Sequence, residues 1–450
     1  MDNITPKTSI DLPSYAEKAL TLLNNSGYEA FVVGGAVRDS LSNLKDVYDW
    51  DIATSALPEE TKKVFNGFKI AEKGIKHGTV TVISDGHPLE ITTYRTEQEY
   101  ADHRHPNAVS FTRSLVEDLS RRDFTINAMA YSPKTGIIDP FGGAGDLSEG
   151  VIRCVGDADK RFTEDSLRIL RALRFASSLN MQLDDKTKKA AIKNNRLLSF
   201  VASERAREEL TKMLCGSNIE EVLLKYGEII SAVIPEIKPA FGFEQHSPYH
   251  NKDVWEHTAA VVKNVCPVSD LRWAALLHDI GKPKCFSVSE DGNGHFYGHA
   301  EISRKIAENI LNRLRFDRKT QNSVLTLVEL HDIEIVPQPK YIKKLLRKTG
   351  EENVKKLFCI QRADAMAKSV EGSEMLGKIE EADGVLKEIL SRKECFSLKD
   401  LAVDGNDMQS IGLKGEKIGR ALEFCLNEVI EERAENEKNA LLESVKNALF

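Results

Sequence analysis

The sequence predicts an α+β fold: a head with a mixed sheet, followed by a neck, a body and a tail that are helical. Residues 1–145 alternate helical segments with short β-rich runs, and the runs at 79–83 and 89–94, separated by a Ser-Asp-Gly turn, predict a hairpin in the head sheet. After residues 139–143, Leu, Ile and Ala recur at spacings of three and four residues, which is typical of helices. The one exception, 286–297, contains a Gly-Asn-Gly turn and predicts a small hairpin or loop.

We therefore expect four domains. The head covers 1–145, the neck 146–240, the body 241–370 and the tail 371–450.

Composition narrows the class of protein. The chain has 450 residues, of which 41% are hydrophobic and 29% charged, so it can bury several cores. We expect no membrane span, because no apolar run approaches about 18 residues, and no signal peptide, because the start is polar. Seven cysteines, never spaced as C-x-x-C, argue against a disulfide framework or a zinc knuckle and favour the reducing cytoplasm.

The net charge of −7 argues against a large non-specific nucleic-acid surface, so RNA contacts would need local basic clusters. The candidates are 161–174, 186–196 and 340–348. For the last two, a solvated helix face is an equally good interpretation.

The first candidate site begins where a strand meets a helix. Residues 30–33 read as a strand that breaks at Gly34 and Gly35, so backbone N–H groups at the helix start can approach a phosphate closely. Arg38 falls on the first turn of this helix, where its guanidinium would neutralise phosphate charge. A glycine pair by itself can also be an ordinary turn.

Two acids follow at a spacing that suits metal binding. Asp49 and Asp51 flank Trp50 in an extended segment, so their side chains point the same way from backbone positions about 6–7 Å apart. Such a pair can hold Mg²⁺, which would bridge a triphosphate and activate an attacking hydroxyl. A D-x-D segment also occurs at solvated strand ends, but its spacing from the glycine pair favours nucleotidyl transfer. Glu90 is either a third carboxylate of this site or a solvent-facing strand residue.

Four motifs, VGGAVRD, DWDIATSA, RRDFTINAMA and EDSLRILRALRF, occur in this order within roughly the first 210 residues. Together they resemble the class II tRNA nucleotidyltransferases, which are the CCA-adding enzymes and their bacterial poly(A) polymerase relatives. The resemblance implies a polymerase-β-like nucleotidyltransferase head that adds C, C and A to the tRNA acceptor arm at its 3′ end, from CTP and ATP, without a nucleic-acid template. A-adding and poly(A) polymerase relatives share most of these motifs and remain an alternative.

The resemblance also implies residue roles. Asp49 and Asp51 would be the catalytic Mg²⁺ ligands, and Asp123 and Asn127 would lie near the ribose, where a carboxylate that accepts from the 2′-hydroxyl favours ribonucleotides. Asp123 could equally cap a helix over 125–130. The remaining implied nucleotide contacts are Gly34, Gly35, Arg38, Arg122, Arg171 and Arg174.

In the family, the E-D-x-x-R segment reads the incoming base, which implies this role for Asp165 and Arg168. Cytosine N4 and adenine N6 are donors, whereas uracil O4 and guanine O6 are acceptors, so a fixed carboxylate selects C and A. Arg168 would donate to cytosine O2/N3 or adenine N1. The simpler interpretation is an amphipathic helix opened by Thr163, with Asp165 and Arg168 paired on its polar face.

Two further segments match the family. The segment 204–210, ERAREEL, corresponds to a helix that supports the base-reading segment, and the polar segment 96–111 resembles a loop that CCA-adding enzymes need to switch from C to A.

A second constellation lies in the body. The stretches WEHTAAVV, LHDIGKP, GHAEIS, LVELHD and RADAMAK resemble the HD superfamily of metal-dependent phosphohydrolases. The resemblance implies an HD-type domain over 241–370 that holds a second divalent metal, Mn, Ni, Fe or Mg, with a metal-bound water as nucleophile. A phosphohydrolase with an RNA-binding head is therefore another alternative, and the body could also only support RNA. The implied ligands are His257, His278, Asp279 and Asp364, with His299 and His331 between them in the sequence.

Overall fold

A computed structural model describes residues 9–42, 47, 49–72, 74–97, 109–246, 252–290, 292–368 and 373–448. The chain forms two compact units, residues 1–235 and 236–450. The predicted four-domain division remains a prediction. In the described part of the chain, no helix has the length and apolar composition that crossing a bilayer requires.

The first unit contains a seven-stranded sheet in the order β3-β4-β5-β2-β1-β8-β9. The β2–β5 pair is parallel and the other neighbouring pairs are antiparallel, which confirms the predicted mixed sheet. A separate antiparallel pair, β6 and β7, flanks residues 98–108, so most of the predicted switching loop lies outside the described residues. The strands are β1 (Ala30–Val33), β2 (Asp51–Thr54), β3 (Lys69–Ala71), β4 (Thr79–Ser84), β5 (His87–Thr93), β6 (Arg95–Glu97), β7 (Val109–Phe111), β8 (Ala130–Ser132) and β9 (Gly136–Ile138).

Helices cover this sheet and continue after it. They are α1 (Ser14–Asn25), α2 (Gly35–Leu41), α3 (Pro58–Val64), α4 (Leu115–Ser120), α5 (Gly143–Glu149), α6 (Ala158–Glu164), α7 (Leu167–Ser178), α8 (Asp185–Asn194), α9 (Ser203–Leu214) and α10 (Ile219–Ile230). Both faces of the central strands are buried, because Val32 and Ile52 belong to one apolar cluster and Val33 and Ala53 to another. This explains why β1 is apolar throughout rather than alternating.

Three local predictions about the first unit are wrong. The helix expected over 125–130 is a single turn at Thr125–Asn127, because Ala130 pairs with Val33 and starts β8. A helix does not open at Thr163, which lies in the last turn of α6. The helical part also contains a short parallel pair, β10 (Val151–Ile152) and β11 (Gln182–Leu183).

Among its described residues, the second unit is helical apart from a hairpin of β12 (Ser287–Val288) and β13 (Gly294–His295), as the sequence predicts for this segment. Residues 270–277 of α12 are buried on every side, which makes this helix the centre of the body. The helices are α11 (Val254–Asn264), α12 (Ser269–Leu277), α13 (His299–Arg313), α14 (Arg318–Leu330), α15 (Pro339–Thr349), α16 (Glu351–Ala367), α17 (Ser373–Ser391), α18 (Gly405–Ser410), α19 (Glu416–Ile430) and α20 (Lys438–Asn447).

Candidate active site

The first unit has a cavity of about 610 Å³, and all twelve catalytic and nucleotide-binding residues predicted for the head and neck line it. The structure therefore brings four separate motifs together, although the role of each residue remains a prediction. Five further residues that the sequence interpretation did not assign to the site also line the cavity: Asp39, Val47, Arg121, Phe175 and Arg205.

Carboxylates gather at one end of the cavity. Asp51 begins β2, and because Ile52 pairs with Ile91 on β5, Glu90 lies beside Asp51 on the neighbouring strand. Burial, together with the charges of Asp49 and Glu90, raises the pKa of Asp51 to about 7. A divalent cation would relieve this repulsion, so the three acids fit a metal of the Mg²⁺ kind.

Gly34 lets an arginine approach the start of α2. Its backbone, at φ +72° and ψ −131°, is in a region that favours glycine. A Cβ at this position would lie 2.9 Å from Arg122 Nη1. The glycine pair is therefore more than a turn, because the absence of a side chain at Gly34 leaves room for the Arg122 guanidinium on the wall of the cavity.

A buried polar network crosses the middle of the cavity. Arg38 Nη1 donates to Asn127 Oδ1 at 2.6 Å, and Asn127 Nδ2 donates to Asp123 Oδ1 at 3.0 Å. Arg171 Nε donates to Asp123 Oδ2 at 2.7 Å. Burial acts to raise the pKa of Asp123, but the charge of Arg171 and the hydrogen bonds from Asn127 and Arg171 outweigh it and hold that pKa below its usual range. The capping alternative for Asp123 does not hold, because the N-cap residue of the turn at Thr125–Asn127 is Phe124, and Asp123 Oδ1 accepts from the Phe124 N–H and from Asn127 Nδ2 instead.

Three arginines of the cavity share one aromatic ring. The guanidinium carbons of Arg38, Arg171 and Arg174 lie 5.0, 5.5 and 4.2 Å from the centroid of Phe175. Glu209 on α9 is 6% exposed and accepts from Arg174 at 3.2 Å. Phe175 is the last residue of the motif EDSLRILRALRF, and Glu209 lies in ERAREEL. The sequence motifs therefore include both residues but do not assign either one a role.

The two residues predicted to read the base lie at the junction of α6 and α7. Asp165 has extended backbone, with φ −134° and ψ 102°, and its Oδ1 accepts the N–H of Leu167 at 3.1 Å. Arg168 is 8% exposed and donates to Glu164 at 3.0 Å and to the Arg121 carbonyl at 3.1 Å. The interpretation as a pair on a solvated helix face is therefore wrong, because Asp165 lies between the helices and Arg168 is buried.

A second polar cluster lies in the second unit, around Asp279. The carboxylate Oδ2 is 3.1 Å from His278 Nε2 and 3.6 Å from His257 Nε2, and the latter is 2.9 Å from Asp364 Oδ1. The other oxygen, Oδ1, is 3.4 Å from His299 Nε2 and 3.5 Å from His331 Nε2. All four predicted ligands thus meet, and His299 and His331 join them.

Backbone carbonyls fix the tautomers of three of these histidines. The Nδ1 atoms of His278, His299 and His331 lie 2.7, 2.9 and 2.8 Å from carbonyl oxygens. A carbonyl only accepts, so in the neutral ring each Nδ1 carries the proton and each Nε2 lone pair faces Asp279. Within the described residues, Asp279 Oδ1 and His278 Nε2 make no hydrogen bond although both atoms are buried.

This donor set fits divalent metals. Two groups of candidate ligands share Asp279: one contains His257 and His278, and the other contains His299 and His331. Within the described residues the cluster therefore contains two overlapping groups of candidate ligands, and metal binding at either group remains a prediction.

One of the basic clusters considered from sequence has protein partners instead of a free face. In 340–348, Lys343, Lys344 and Arg347 pair with Glu394, Glu431 and Glu423. These three charges hold the tail of the same unit, a role that neither the RNA-contact nor the solvated-face interpretation of this segment includes.

Three families match parts of the chain. Residues 30–153 match the poly A polymerase head domain, and residues 180–241 match the RNA and SrmB binding site of polymerase A. Residues 294–445 match the tRNA nucleotidyltransferase domain 2 family.

Curated relatives are similar over about half of the chain. A CCA-adding enzyme of Geobacillus thermodenitrificans is 44% identical over 261 residues, which are 58% of this chain and 61% of that protein. One of Lactobacillus gasseri is 50% identical over 206 residues, which are 45% of this chain and 51% of that protein. The matched region thus spans between half and two thirds of these relatives' own length.

Solved structures match along nearly the whole chain. The Bacillus stearothermophilus CCA-adding enzyme in complex with CTP has a TM-score of 0.73 and 29% identity, with 96% of both chains covered. A Thermotoga maritima CCA-adding enzyme complexed with tRNA_CCA has a TM-score of 0.59 and 21% identity over 97% of this chain and 95% of that one, which shows a shared fold. The chain thus contains a segment similar to the poly A polymerase head domain, and over nearly its whole length it shares the fold of solved CCA-adding enzymes.

Proposed function

We propose that this protein adds C, C and A to the 3′ end of tRNA from CTP and ATP without a nucleic-acid template. The supporting observation is the single cavity in which an acid cluster, a set of arginines and the pair Asp165 and Arg168 meet. The acids suit a metal, the arginines suit a triphosphate and the pair suits one edge of a base. No complementary strand is needed for base choice in such a site.

The triphosphate end would use the strand-to-helix turn. Gly34 and Gly35 allow close approach of the backbone, and Arg38 and Arg122 supply positive charge. Asp49 and Asp51, with Glu90 beside them, would hold Mg²⁺, which supplies charge neutralisation of the phosphates and activation of the terminal hydroxyl.

The ribose end would use Asp123 and Asn127. Asp123 stays ionised, because Arg171 holds its pKa low, and a carboxylate has about four lone-pair positions. Its oxygens already contact the Phe124 N–H, Asn127 Nδ2 and both Nε and Nη2 of Arg171, so a 2′-hydroxyl would share an oxygen with one of these donors or displace it.

Base choice would rest on Asp165 and Arg168. Asp165 Oδ2 has a long contact of 3.4 Å with Arg205, so this oxygen can accept a cytosine N4 or adenine N6 amino group. Glu164 and the Arg121 carbonyl hold the Arg168 guanidinium in place. A fixed acceptor beside a fixed donor rejects bases with the wrong edge, because their mismatched groups would be buried unpaired.

The experiment is to incubate the purified protein with tRNA that lacks its last three nucleotides, with CTP, ATP and Mg²⁺, and to sequence the products. We expect C-C-A ends, and we expect Asp51→Asn to abolish incorporation. The matched control is Asp85→Asn, an exposed acid at φ +49°, a conformation that asparagine tolerates. Long A tails, or A added only to tRNA that ends in CC, would favour the alternatives, and incorporation by Asp51→Asn at the normal rate would contradict the proposed catalytic site.

We also propose that the body is an HD-type metal-dependent phosphohydrolase. The observation that favours it is the buried cluster of four histidines and two aspartates, three of whose histidines are held with Nε2 toward Asp279. These residues would hold Mn, Ni, Fe or Mg, which supplies an activated water.

The two activities can be separated by substitution. Asp279→Asn should lower the metal content, measured by mass spectrometry, and remove hydrolysis of 2′,3′-cyclic AMP, while nucleotide incorporation remains. Asp51→Asn should do the reverse. If Asp279→Asn instead abolished incorporation and Asp51→Asn did not, the phosphohydrolase with an RNA-binding head would be the better description.

We propose the reducing cytoplasm as the compartment. All seven cysteines are free thiols, and burial raises the pKa of Cys154 to about 12, so this thiol is poorly reactive.

A further inference from the structure

A cavity of about 500 Å³ opens beside the histidine cluster of the second unit. Asp279, His299, His331 and Asp364 line one part of it, and residues 293–298, which include the end of the hairpin, line another. This volume is in the range of sites that hold small molecules of nucleotide size. The hairpin segment is therefore placed to contact whatever reaches the cluster.

The hairpin segment presents an exposed aromatic ring to this cavity. Tyr297 is 78% exposed, and its ring lies parallel to that of His295, with centroids 5.3 Å apart and an interplanar angle of 7°. His295 Nε2 is in turn 3.0 Å from Ser289 Oγ, which holds the imidazole in place. One face of the tyrosine is supported by a ring, so the other can take a flat group.

The segment that carries the two rings is held firmly. Gly294 N–H donates to the His246 carbonyl at 2.7 Å, and the space beside Gly294 is so narrow that a Cβ would lie 2.2 Å from the Gln245 carbonyl oxygen. The Phe286 ring packs edge-on against Phe243 at 5.3 Å. A platform attached in this way keeps its position relative to the cluster.

The backbone also links the platform directly to a candidate ligand. The Phe296 carbonyl, one residue before Tyr297, accepts from His299 Nδ1 at 2.9 Å. Tyr297 precedes His299 by two residues, so their Cα atoms are at most about 7 Å apart. This distance suits a nucleoside whose base stacks on the ring while its phosphoester reaches the cluster.

Two lysines supply charge for a phosphoester at the same place. Lys282 Nζ is 2.7 Å from Asp279 and 2.8 Å from Gln245 Oε1, and Lys368 Nζ is 2.5 Å from Asp364. Both line the cavity. The wall thus combines ammonium groups near the cluster with an aromatic face farther out.

We infer that Tyr297 and His295 form a base-stacking platform, so that the cluster takes phosphoesters of nucleosides in preference to phosphoesters without a base. Stacking on an aromatic side chain tolerates every base, because each has a π-face, so the platform selects for a nucleoside and not for one base. The inference rests on the proposed hydrolase function. The nucleoside phosphoester could be a free nucleotide or the end of an RNA, because both present the same chemistry.

A fluorescence experiment tests the platform without relying on catalysis. The protein has three tryptophans, each at most 7% exposed: Trp50, Trp255 and Trp273. Tyr297→Trp adds an exposed tryptophan, and the difference between the emission of this variant and that of the unsubstituted protein reports on this site. We expect adenosine 2′-monophosphate to quench this emission and ribose 5-phosphate to leave it unchanged. The matched control is Val288→Trp, at a 57% exposed position of the same hairpin that does not line the cavity, which should not respond.

A kinetic measurement on the full chain complements it. Tyr297→Ala should lower kcat/KM for 2′,3′-cyclic AMP by about 5- to 100-fold while the turnover of glycerol 2-phosphate and the metal content stay within about twofold. Tyr297→Phe should keep both activities, because it retains the ring. A six-nucleotide RNA with a 3′-terminal phosphate, compared with adenosine 2′-monophosphate in the fluorescence assay, distinguishes the RNA end from the free nucleotide as the source.

The two failures look different. Suppose that the protein binds metal and hydrolyses the esters. If quenching is then equal at positions 288 and 297, or if Tyr297→Ala loses activity equally toward both substrates, the platform is overturned and the hydrolase function remains. Selective quenching at position 297 without hydrolysis of any ester would support the platform and overturn the proposed hydrolase function.

Discussion

The base-reading role of Asp165 makes a quantitative prediction for Asp165→Asn. The substitution keeps the size of the side chain and replaces one carboxylate oxygen by an amide NH₂. The bond from Leu167 N–H to Oδ1 can persist with the amide oxygen. The amide nitrogen then takes the place of Oδ2, where a base would be read.

The structure sets the size of the two effects. The contact that Asp165 makes with Arg205 is long, at 3.4 Å, and Arg205 is 35% exposed, so stability should change by less than about 1 kcal/mol. Base choice should change more, because a hydrogen bond to a charged acceptor contributes about 1.5–3 kcal/mol. With 1.36 kcal/mol for each factor of ten, we expect the preference for CTP over UTP to fall by about 10- to 150-fold.

The assay is kcat/KM for CTP and for UTP with tRNA that lacks its last three nucleotides. Thermal unfolding of the variant checks that the fold is retained. Asp185→Asn, at an exposed acid in the first turn of α8, is the matched control and should leave the ratio unchanged. An unchanged ratio in Asp165→Asn, with normal folding, would refute the assignment of base choice to this carboxylate.

Three further predictions concern the same cavity. Gly34→Ala should raise KM for CTP at least tenfold, because its Cβ would meet Arg122 Nη1 at 2.9 Å and its φ is +72°; Gly145→Ala, at a helical glycine with open space, is the control. Asp123→Asn should make the free energy of unfolding fall less steeply toward acid pH, as measured by chemical unfolding from pH 2 to 7. The pKa of Asp123 is lower in the folded protein than in the unfolded chain, where it is about 4. Its contribution to the free energy of unfolding is therefore complete above pH 4 and is lost as the pH falls from there toward the folded pKa. Glu209→Gln should weaken nucleotide binding by about 2- to 10-fold, read as KM with kcat little changed, because Arg174 loses its buried carboxylate partner.

Each of these predictions has an outcome that contradicts it. A normal KM in Gly34→Ala would show that Arg122 can move aside without cost. An acid limb of unchanged slope in Asp123→Asn would mean that its pair with Arg171 contributes nothing to stability. A selective loss of kcat in Glu209→Gln would place that residue in the chemical step instead of in nucleotide binding.

Local patterns predicted the parts of the site that depend on short stretches of chain. The break of β1 at the glycine pair and the start of β2 at Asp51 follow from local backbone preferences. The apolar side of α7 is also where helical periodicity places it, since Leu167, Ile169, Leu170 and Leu173 are all buried.

Features that depend on pairing between distant segments could not be decided from the sequence. Glu90 had two interpretations, because it lies beside Asp51 only through the register in which β2 and β5 pair, and it follows Asp51 by 39 positions in the sequence. The strand β8 replaces a predicted helix for the same reason, since β1 satisfies its backbone. The pattern of apolar residues does not show that the helix is interrupted at Asp165. The interruption depends on the bond from the Leu167 N–H to Asp165 Oδ1, which leaves the apolar spacing unchanged.

The histidine cluster shows the same division. The order of His and Asp along the chain predicted four ligands. The part played by His299 and His331 depends on the Phe296 carbonyl, before α13, and the Val328 carbonyl, in the last turn of α14, which orient the two rings, and no residue pattern records that orientation.

Two aspartates in one cavity show how burial and neighbours separate roles. Asp51 is near other acids, and burial with their charges raises its pKa to about 7, so it gains from a cation. Asp123 is more deeply buried, but Arg171 holds its pKa low, so it already has its cation and remains an acceptor. A divalent metal is therefore expected at Asp51 and a hydroxyl at Asp123. Exchanging these environments would place the charge of Arg171 where the phosphates need a bridging metal, so the different neighbours of Asp51 and Asp123 are themselves a requirement of the proposed reaction.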